Sequence, residues 1–335
     1  MNEEITQEML LPIKEKKILS EAVKATEIKK EIPIGYVPVN FISGDKLGPS
    51  VLHFRNYSME ELLELSMSTE ENRFSILINK CLSKMNYENY DCSLLHSEHI
   101  IQIMMTIYMN FWGTKLYSMP YYDDEENKTN VKYEDIDLSL LKEIKLSDKF
   151  KEPFTIIDDV TKKKIKFTLP RINSVFIAEE YVNKKYRDED VKFSSLKATL
   201  NLIEQLKNTG DPEQMKRADL IKVDYDLKKE YDLMQEEKMK DYLRVIQSQL
   251  IYSIDGQELK TIEEKIDAYK HKIDATAWAR YKSAVQEYGT FGVDPNYTFT
   301  VDNKTITRRF SFRYLDFIPS MEQKTNTGYS VQFDD

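Results

Sequence analysis

Residues 93–112, SLLHSEHIIQIMMTIYMNFW, are the most apolar stretch of the chain and carry a helical repeat of Ile, Met and aromatic side chains. Their reading decides the fold, because a helix this apolar has to be surrounded. It is expected to be the central helix of a first domain. It is too short, and too polar at Gln102, Thr106 and Asn110, for a ~20-residue membrane span.

Upstream, Val51, Leu52, His53, Phe54 and Arg55 alternate as a short strand. Ser58-Met59-Glu60-Glu61 follows as a capping box, with Ser58 at the N-cap and Glu61 reaching back. A helix with Leu62, Leu63 and Leu65 starts there, and a second over 72–84 carries Phe74, Ile76, Leu77, Ile78 and Leu82. Residues 32–50, with three prolines and three glycines, read as extended chain with turns. Residues 1–31 mix Glu and Lys around a weak stripe of Leu10, Leu11, Ile13, Ile18, Leu19, Val23 and Ile28, and read as an N-terminal helical arm.

Downstream, the acidic, Asn-rich residues 120–152 read as a surface linker containing a short helix or strand. Residues 154–157 and 165–169 form a hairpin around a charged turn, followed by a helix to about residue 187. Residues 192–290 are helical, with one long charged helix from about 213 to 250. Residues 297–301 and 305–313 alternate β-branched and aromatic residues around an Asp-Asn turn, a second hairpin. The two hairpins are expected to pair in one small sheet. The fold class is α+β, predominantly helical with small antiparallel β elements. The domains are 32–119 and 153–319, the second holding the long charged helices and the C-terminal hairpin, with a polar tail at 320–335.

Composition narrows the function. Lys+Arg number 48 and Asp+Glu 57, a net charge of −9, which disfavours a dedicated nucleic-acid binder. A mean hydropathy of −0.55 and the lack of a basic start followed by an apolar run point to a cytosolic rather than secreted chain. Two cysteines, Cys81 and Cys92, exclude a disulfide scaffold. Nine glycines, with no Gly-x-x-x-x-Gly-Lys-Ser/Thr, Gly-x-Gly-x-x-Gly or Gly-x-Ser-x-Gly, nominate no phosphate loop or serine nucleophile.

One constellation has metal-ligand chemistry. Cys92, His96 and His99 stand at i, i+4 and i+7, so they are expected to share one helix face. Three ligands from one helix do not easily surround a tetrahedral ion, so no metal or other cofactor is expected. Arg308, Arg309 and Arg313 interleave with Phe310, Phe312 and Tyr314. This reads as a half-buried strand rather than a base-stacking surface. No catalytic residue is assigned, and the chain is not expected to be an enzyme. Tyr297, Phe310, Phe312, Tyr314 and Phe317 are the candidate interface anchors.

The order of segments resembles a family of contractile-tailed phage baseplate proteins, the T-even-type hub-assembly family. Residues 51–65, VLHFRNYSMEELLEL, are similar to its opening strand and capped helix, and 76–81, ILINKC, to its second helix. Residues 99–113, HIIQIMMTIYMNFWG, resemble its apolar helix ending in an aromatic–glycine pair. IKFTLPRIN (165–173), IYSIDG (251–256, a helix-turn in the family) and FSFRYLDFIP (310–319) resemble its later segments. The family's Cys-x-x-Cys before the closing strand has no counterpart in residues 292–297, so a zinc role there is not carried over. The resemblance implies a non-enzymatic protein of the virion tail baseplate, assembled in the host cytoplasm. Its partners would be other tail and baseplate proteins, or copies of itself, with no nucleic acid and no membrane. A tail-assembly chaperone or virion connector, and a metal-dependent enzyme using Cys92, His96 and His99, are the alternatives.

Overall fold

The structure, a computed structural model, describes residues 32–124, 129–301 and 304–318. The expected arm at 1–31, the tail at 320–335 and residues 302–303 of the C-terminal turn lie outside the described residues. The chain divides into two units, Met1–Tyr36 and Val37–Asp335. The second is described below.

Strand β1 (Tyr36–Asn40) pairs with β2 (Val51–Arg55), and helix α1 (Met59–Met67) follows. The capping box forms as the sequence implies. Glu61 N–H donates to Ser58 Oγ (3.2 Å) and Ser58 N–H to Glu61 Oε2 (2.7 Å). Arg55 forks onto the same carboxylate at 2.8 and 2.7 Å. Burial alone would raise the Glu61 carboxyl, but the Arg55 and Ser58 hydrogen bonds outweigh it and hold it below its ordinary value. Helix α2 (Glu70–Ser75) continues through a π-helical stretch, Ile76–Leu82, to Ser83–Met85.

The central helix α3 spans Ser97–Phe111. Ile100, Ile103, Met104, Ile107 and Tyr108 form its buried face, at the spacing of an amphipathic helix. Each contributes about 1.5–3 kcal/mol by leaving water. Around them pack Leu52 and Phe54 of β2, Leu62 and Leu65 of α1, and Leu77, Ile78, Leu82 and Met85 of α2. Gln102 is buried but satisfied: its amide donates to Asn40 O (2.6 Å), and its Oε1 accepts from Ile42 N–H (3.2 Å). Gly113, at φ +114, turns the chain out of the helix.

The expected linker is instead a long hairpin. Strands β3 (Lys115–Asp124) and β4 (Thr129–Asp137) pair antiparallel, with a register shift between Leu116 and Met119. Leu116, Met119 and Ile136, with Leu138 just beyond, join the core around α3. Only a few apolar residues of the hairpin point inward among many polar and exposed ones, which leaves the composition of a loop. The boundary expected at 119/120 therefore falls inside a strand.

Strand β5 (Glu143–Ile144) pairs with β10 (Gly292–Val293). A four-stranded antiparallel sheet has the order β6 (Phe154–Ile157), β7 (Lys164–Phe167), β8 (Ile251–Ile254), β9 (Gln257–Glu258). Its apolar face packs on α9 (Ile262–His271) and α10 (Ala275–Ala284), with Phe167 4.9 Å from Tyr281 between ring centroids. IYSIDG is thus a strand and turn, not the helix-turn that the resemblance implies.

Between neighbouring strands β7 and β8 the chain makes a helical excursion: α4 (Ile172–Lys185), α5 (Arg187–Lys192), α6 (Ser194–Asn208), α7 (Pro212–Leu220) and α8 (Tyr225–Gln249). The single helix expected from 213 to 250 is two. Residues 221–224 leave the helix, and Asp224 caps α8 by accepting from Leu227 N–H (2.9 Å). Asp241 of α8 is buried. It accepts from Tyr186 Oη (2.9 Å) and pairs with Lys185 and Arg244.

The C-terminal hairpin, β11 (Asn296–Val301) and β12 (Lys304–Arg309), forms its own two-stranded sheet. It does not pair with β6–β7, which overturns that expectation. Tyr297, Phe310 and Phe317 enter the core around α3, and Tyr297 Oη accepts from Asp137 N–H (3.2 Å). The two-domain division at 153 therefore does not separate the cores, because the last residues of the second expected domain close the first. The class is α+β, mainly helical, with small antiparallel sheets.

Phe310 is 1 % exposed, so Phe310→Ala is expected to destabilise the chain by about 3–5 kcal/mol in urea denaturation. A loss under about 1 kcal/mol would show that the C-terminal residues do not close this core.

Candidate functional site

Two deeply buried imidazoles, each with one unpartnered nitrogen, stand together where α3 begins. His96 is its N-cap residue, in extended conformation, and His99 lies in its first turn. Both are essentially unexposed, at 1 % and 0 %. Their rings lie 5.4 Å apart, with Phe41 at 4.6 Å and Phe291 at 5.1 Å from His99.

His96 Nδ1 lies 2.8 Å from the Pro170 carbonyl, so this nitrogen carries the proton. Its Nε2 has no hydrogen-bond partner and sits 3.9 Å from Glu152 Oε2. His99 Nε2 shares a 2.8 Å bond with Ser43 Oγ, and its Nδ1 is unpartnered. Glu152 Oε1 accepts from Leu169 N–H (2.6 Å), and Oε2 accepts from Arg171 (2.8 Å). Arg171 also donates to Leu94 O (3.0 Å), and Ile172 N–H to Leu95 O (2.9 Å). The cluster ties together the loop before β2, the start of α3, the turn before β6 and the entry to α4. A hollow of about 140 Å³ adjoins it, lined by His96, Glu98, Leu169, Pro170, Thr290 and Phe291 among others. Gly289 also borders the hollow. A Cβ there would come 3.2 Å from both Leu169 Cδ2 and Phe150 Cε2.

The electrostatics favour neutral imidazoles. Burial pushes His96 down to about 4; the Pro170 bond opposes this and the Arg171 guanidinium adds to it. Burial pushes His99 down to about 3, with His96 and Arg171 adding to it. Burial also pushes the Cys92 and Cys81 thiols up to about 12, so neither is a thiolate nucleophile at neutral pH.

Cys92, His96 and His99 do not share a helix face. Cys92 lies in a separate 3₁₀ turn, Cys92–Leu94, and His96 has non-helical dihedrals, so the helical period does not reach back to residue 92. Cys92 Sγ instead has the Tyr90 carbonyl and the Asn86 amide at 3.8 Å. Among the described residues, no group of three or more His, Cys, Asp or Glu could hold a metal ion. Glu152, Arg171 and Ser43 escaped the sequence reading. No local spacing connects residues 43, 96, 152 and 171, and Glu152 stands in an ordinary charged run.

The candidate interface anchors are also placed differently. Tyr297, Phe310 and Phe317 are buried in the core around α3, and Phe312 and Tyr314 are half-buried against it. Tyr314 packs 5.0 Å from Phe74, and Phe317 6.4 Å from Tyr108. Strand β12 ends at Arg309, and the chain then carries these rings inward. Among the described residues, the aromatic side chains that do stand in solvent are Tyr117, Tyr133, Tyr225 and Tyr252. No family model, curated protein or solved structure matches the chain.

The histidine pair gives stability a defined pH dependence. Both imidazoles have folded pKa values below the ~6.5 of an unfolded chain, so the unfolded state binds more protons beneath that value. Stability is whole above pH ~6.5 and falls as pH drops toward about 4. Between pH 7 and 5 the loss is expected to be about 2–4 kcal/mol in urea denaturation, reduced in a His99→Gln variant. A flat profile over that interval would contradict the buried neutral pair.

Proposed function

We propose that this chain is a structural or assembly protein of a contractile-tail baseplate, acting through protein–protein contacts at the central hub. The observation that carries the reading is the placement of the six family-like segments. Residues 51–65 form β2 and α1, 76–81 lie in the π-helical part of α2, and 99–113 form α3 and its exit. Residues 165–173 run from β7 into α4, 251–256 form β8 and its turn, and 310–318 form the closing segment of the core. All six lie in the packed frame or at its edge, at the start of α4, with 251–256 there as a strand and turn rather than the helix-turn of the resemblance, while α5–α8 carry none of them.

Surface chemistry supports a role in contacts. The excursion exposes Leu202, Met215, Leu220, Leu233, Met239 and Leu243, and the β3–β4 hairpin exposes Tyr117, Val131 and Tyr133. Apolar groups of this kind, rimmed by charge, are what partner surfaces use. Among the described residues no helix is long and apolar enough to cross a membrane. The partners would be other tail proteins or further copies of this chain, met in the host cytoplasm and retained in the virion baseplate.

Tagged protein recovered from infected cells is expected to bring tail proteins with it, and the chain should also be present in purified particles. Recovery with hub proteins from cells, but absence from particles, would make it an assembly chaperone. No tail protein in either sample would end the baseplate reading. The double variant Tyr117→Ser/Tyr133→Ser should lower the recovered partners severalfold if the hairpin makes the contact.

A further inference from the structure

The helical excursion holds a groove that the baseplate reading leaves unused. It has a volume of about 730 Å³ and lies between α2, α4, α6 and α8. Its walls are polar. The carboxamides of Asn72, Asn183 and Asn201 stand in solvent with no protein hydrogen-bond partner among the described residues, and that of the half-buried Gln235 has only the Met234 sulfur at 3.9 Å. Glu179 is half-buried beside them, also unpartnered. The lining charges cancel: two carboxyls face two lysines, and Asp190 and Lys238 pair directly at 2.7 Å. Phe193, 2 % exposed, forms part of the lining, and the half-buried Tyr231 meets it edge-on at 5.6 Å.

This lining selects by chemistry. A carboxamide offers two donors and an acceptor at one position, matching a hydroxyl, which also donates and accepts. A groove without net charge has no preference for phosphate or for a cation. It also lacks what the two common modes of peptide capture require. Its walls are helices rather than an open sheet edge, and they are not the apolar trough that an amphipathic helix fills. We infer that the groove binds a neutral polyhydroxylated ligand, a saccharide segment, with Asn183, Asn201 and Gln235 pairing its hydroxyls and Tyr231 set against a ring. Burial pushes the Glu179 carboxyl up, so in mildly acidic solution it adds a donor to the set. This inference is independent of the baseplate reading.

The test is saturation-transfer NMR on the full chain with maltotetraose, cellotetraose and chitotetraose, and with inorganic phosphate and a helical acidic peptide as competitors. At least one tetrasaccharide should bind saturably below about 10 mM. Asn183→Ala/Asn201→Ala should weaken it about tenfold or more, and Ala198→Trp, which fills the groove from an exposed wall position, should abolish it. Both variants should keep the wild-type unfolding midpoint; if either does not, Asn183→Asp, which keeps the size and removes the donor, is read instead. The inference is overturned if no tetrasaccharide binds, if binding survives Ala198→Trp, or if phosphate or the peptide occupies the groove in its place.

Discussion

The burial of α3 is the constraint on which the rest of the structure depends. Ile100, Ile103, Met104, Ile107 and Tyr108 leave water together, and elements from distant parts of the chain are needed to cover them. β2 and α1 cover one side, α2 another, and the β3–β4 hairpin a third. Tyr297, Phe310 and Phe317 arrive from nearly two hundred residues away to complete the enclosure. Gln102, in the midst of this apolar surface, is tolerated because Asn40 and Ile42 use both ends of its amide.

The same helix organises the buried polar groups. Its N-cap is a histidine whose side chain makes no capping bond and instead reaches the Pro170 carbonyl. The β6–β9 sheet is therefore joined to α3 through a few residues, Glu152, Leu169, Pro170 and Arg171. Glu152 can stay 5 % exposed because two donors, the Leu169 amide and the Arg171 guanidinium, satisfy it. The price of this junction is two imidazoles that must remain neutral, one nitrogen of each without a partner.

The helices between β7 and β8 follow a looser rule. The chain leaves and re-enters at adjacent strands, so it can add helices there without disturbing the sheet register. From α5 to α7 the only buried side chains are Phe193, Leu196 and Ala218, so much apolar and polar surface there is left to solvent. Where α4 and α8 meet, Asp241 with Lys185, Tyr186 and Arg244 fixes their pairing. Unfilled carboxamides and exposed leucines thus lie on the excursion, while the sheet and α3 form the frame.

Local rules alone determined much of this protein. The capping box at Ser58, the strand at residues 51–55, the hairpin at 154–167 and the alternation in 297–309 all depend on interactions within a few residues, so they can be read in one dimension. The apolar repeat of α3 likewise announced its burial. Tertiary structure decided the rest. The β3–β4 segment has the composition of a loop and is a strand pair because its few apolar residues meet α3. Tyr297, Phe310 and Phe317 looked like surface anchors and became core, with Phe312 and Tyr314 half-buried against it, since a half-apolar strand does not state what will cover it. Cys92, His96 and His99 shared a helical spacing only on paper, because the helix starts at Ser97. The cluster of Ser43, His96, His99, Glu152 and Arg171 has no sequence signature at all. Hydrogen bonds between residues 56 to 77 positions apart exist only once packing has brought those segments together.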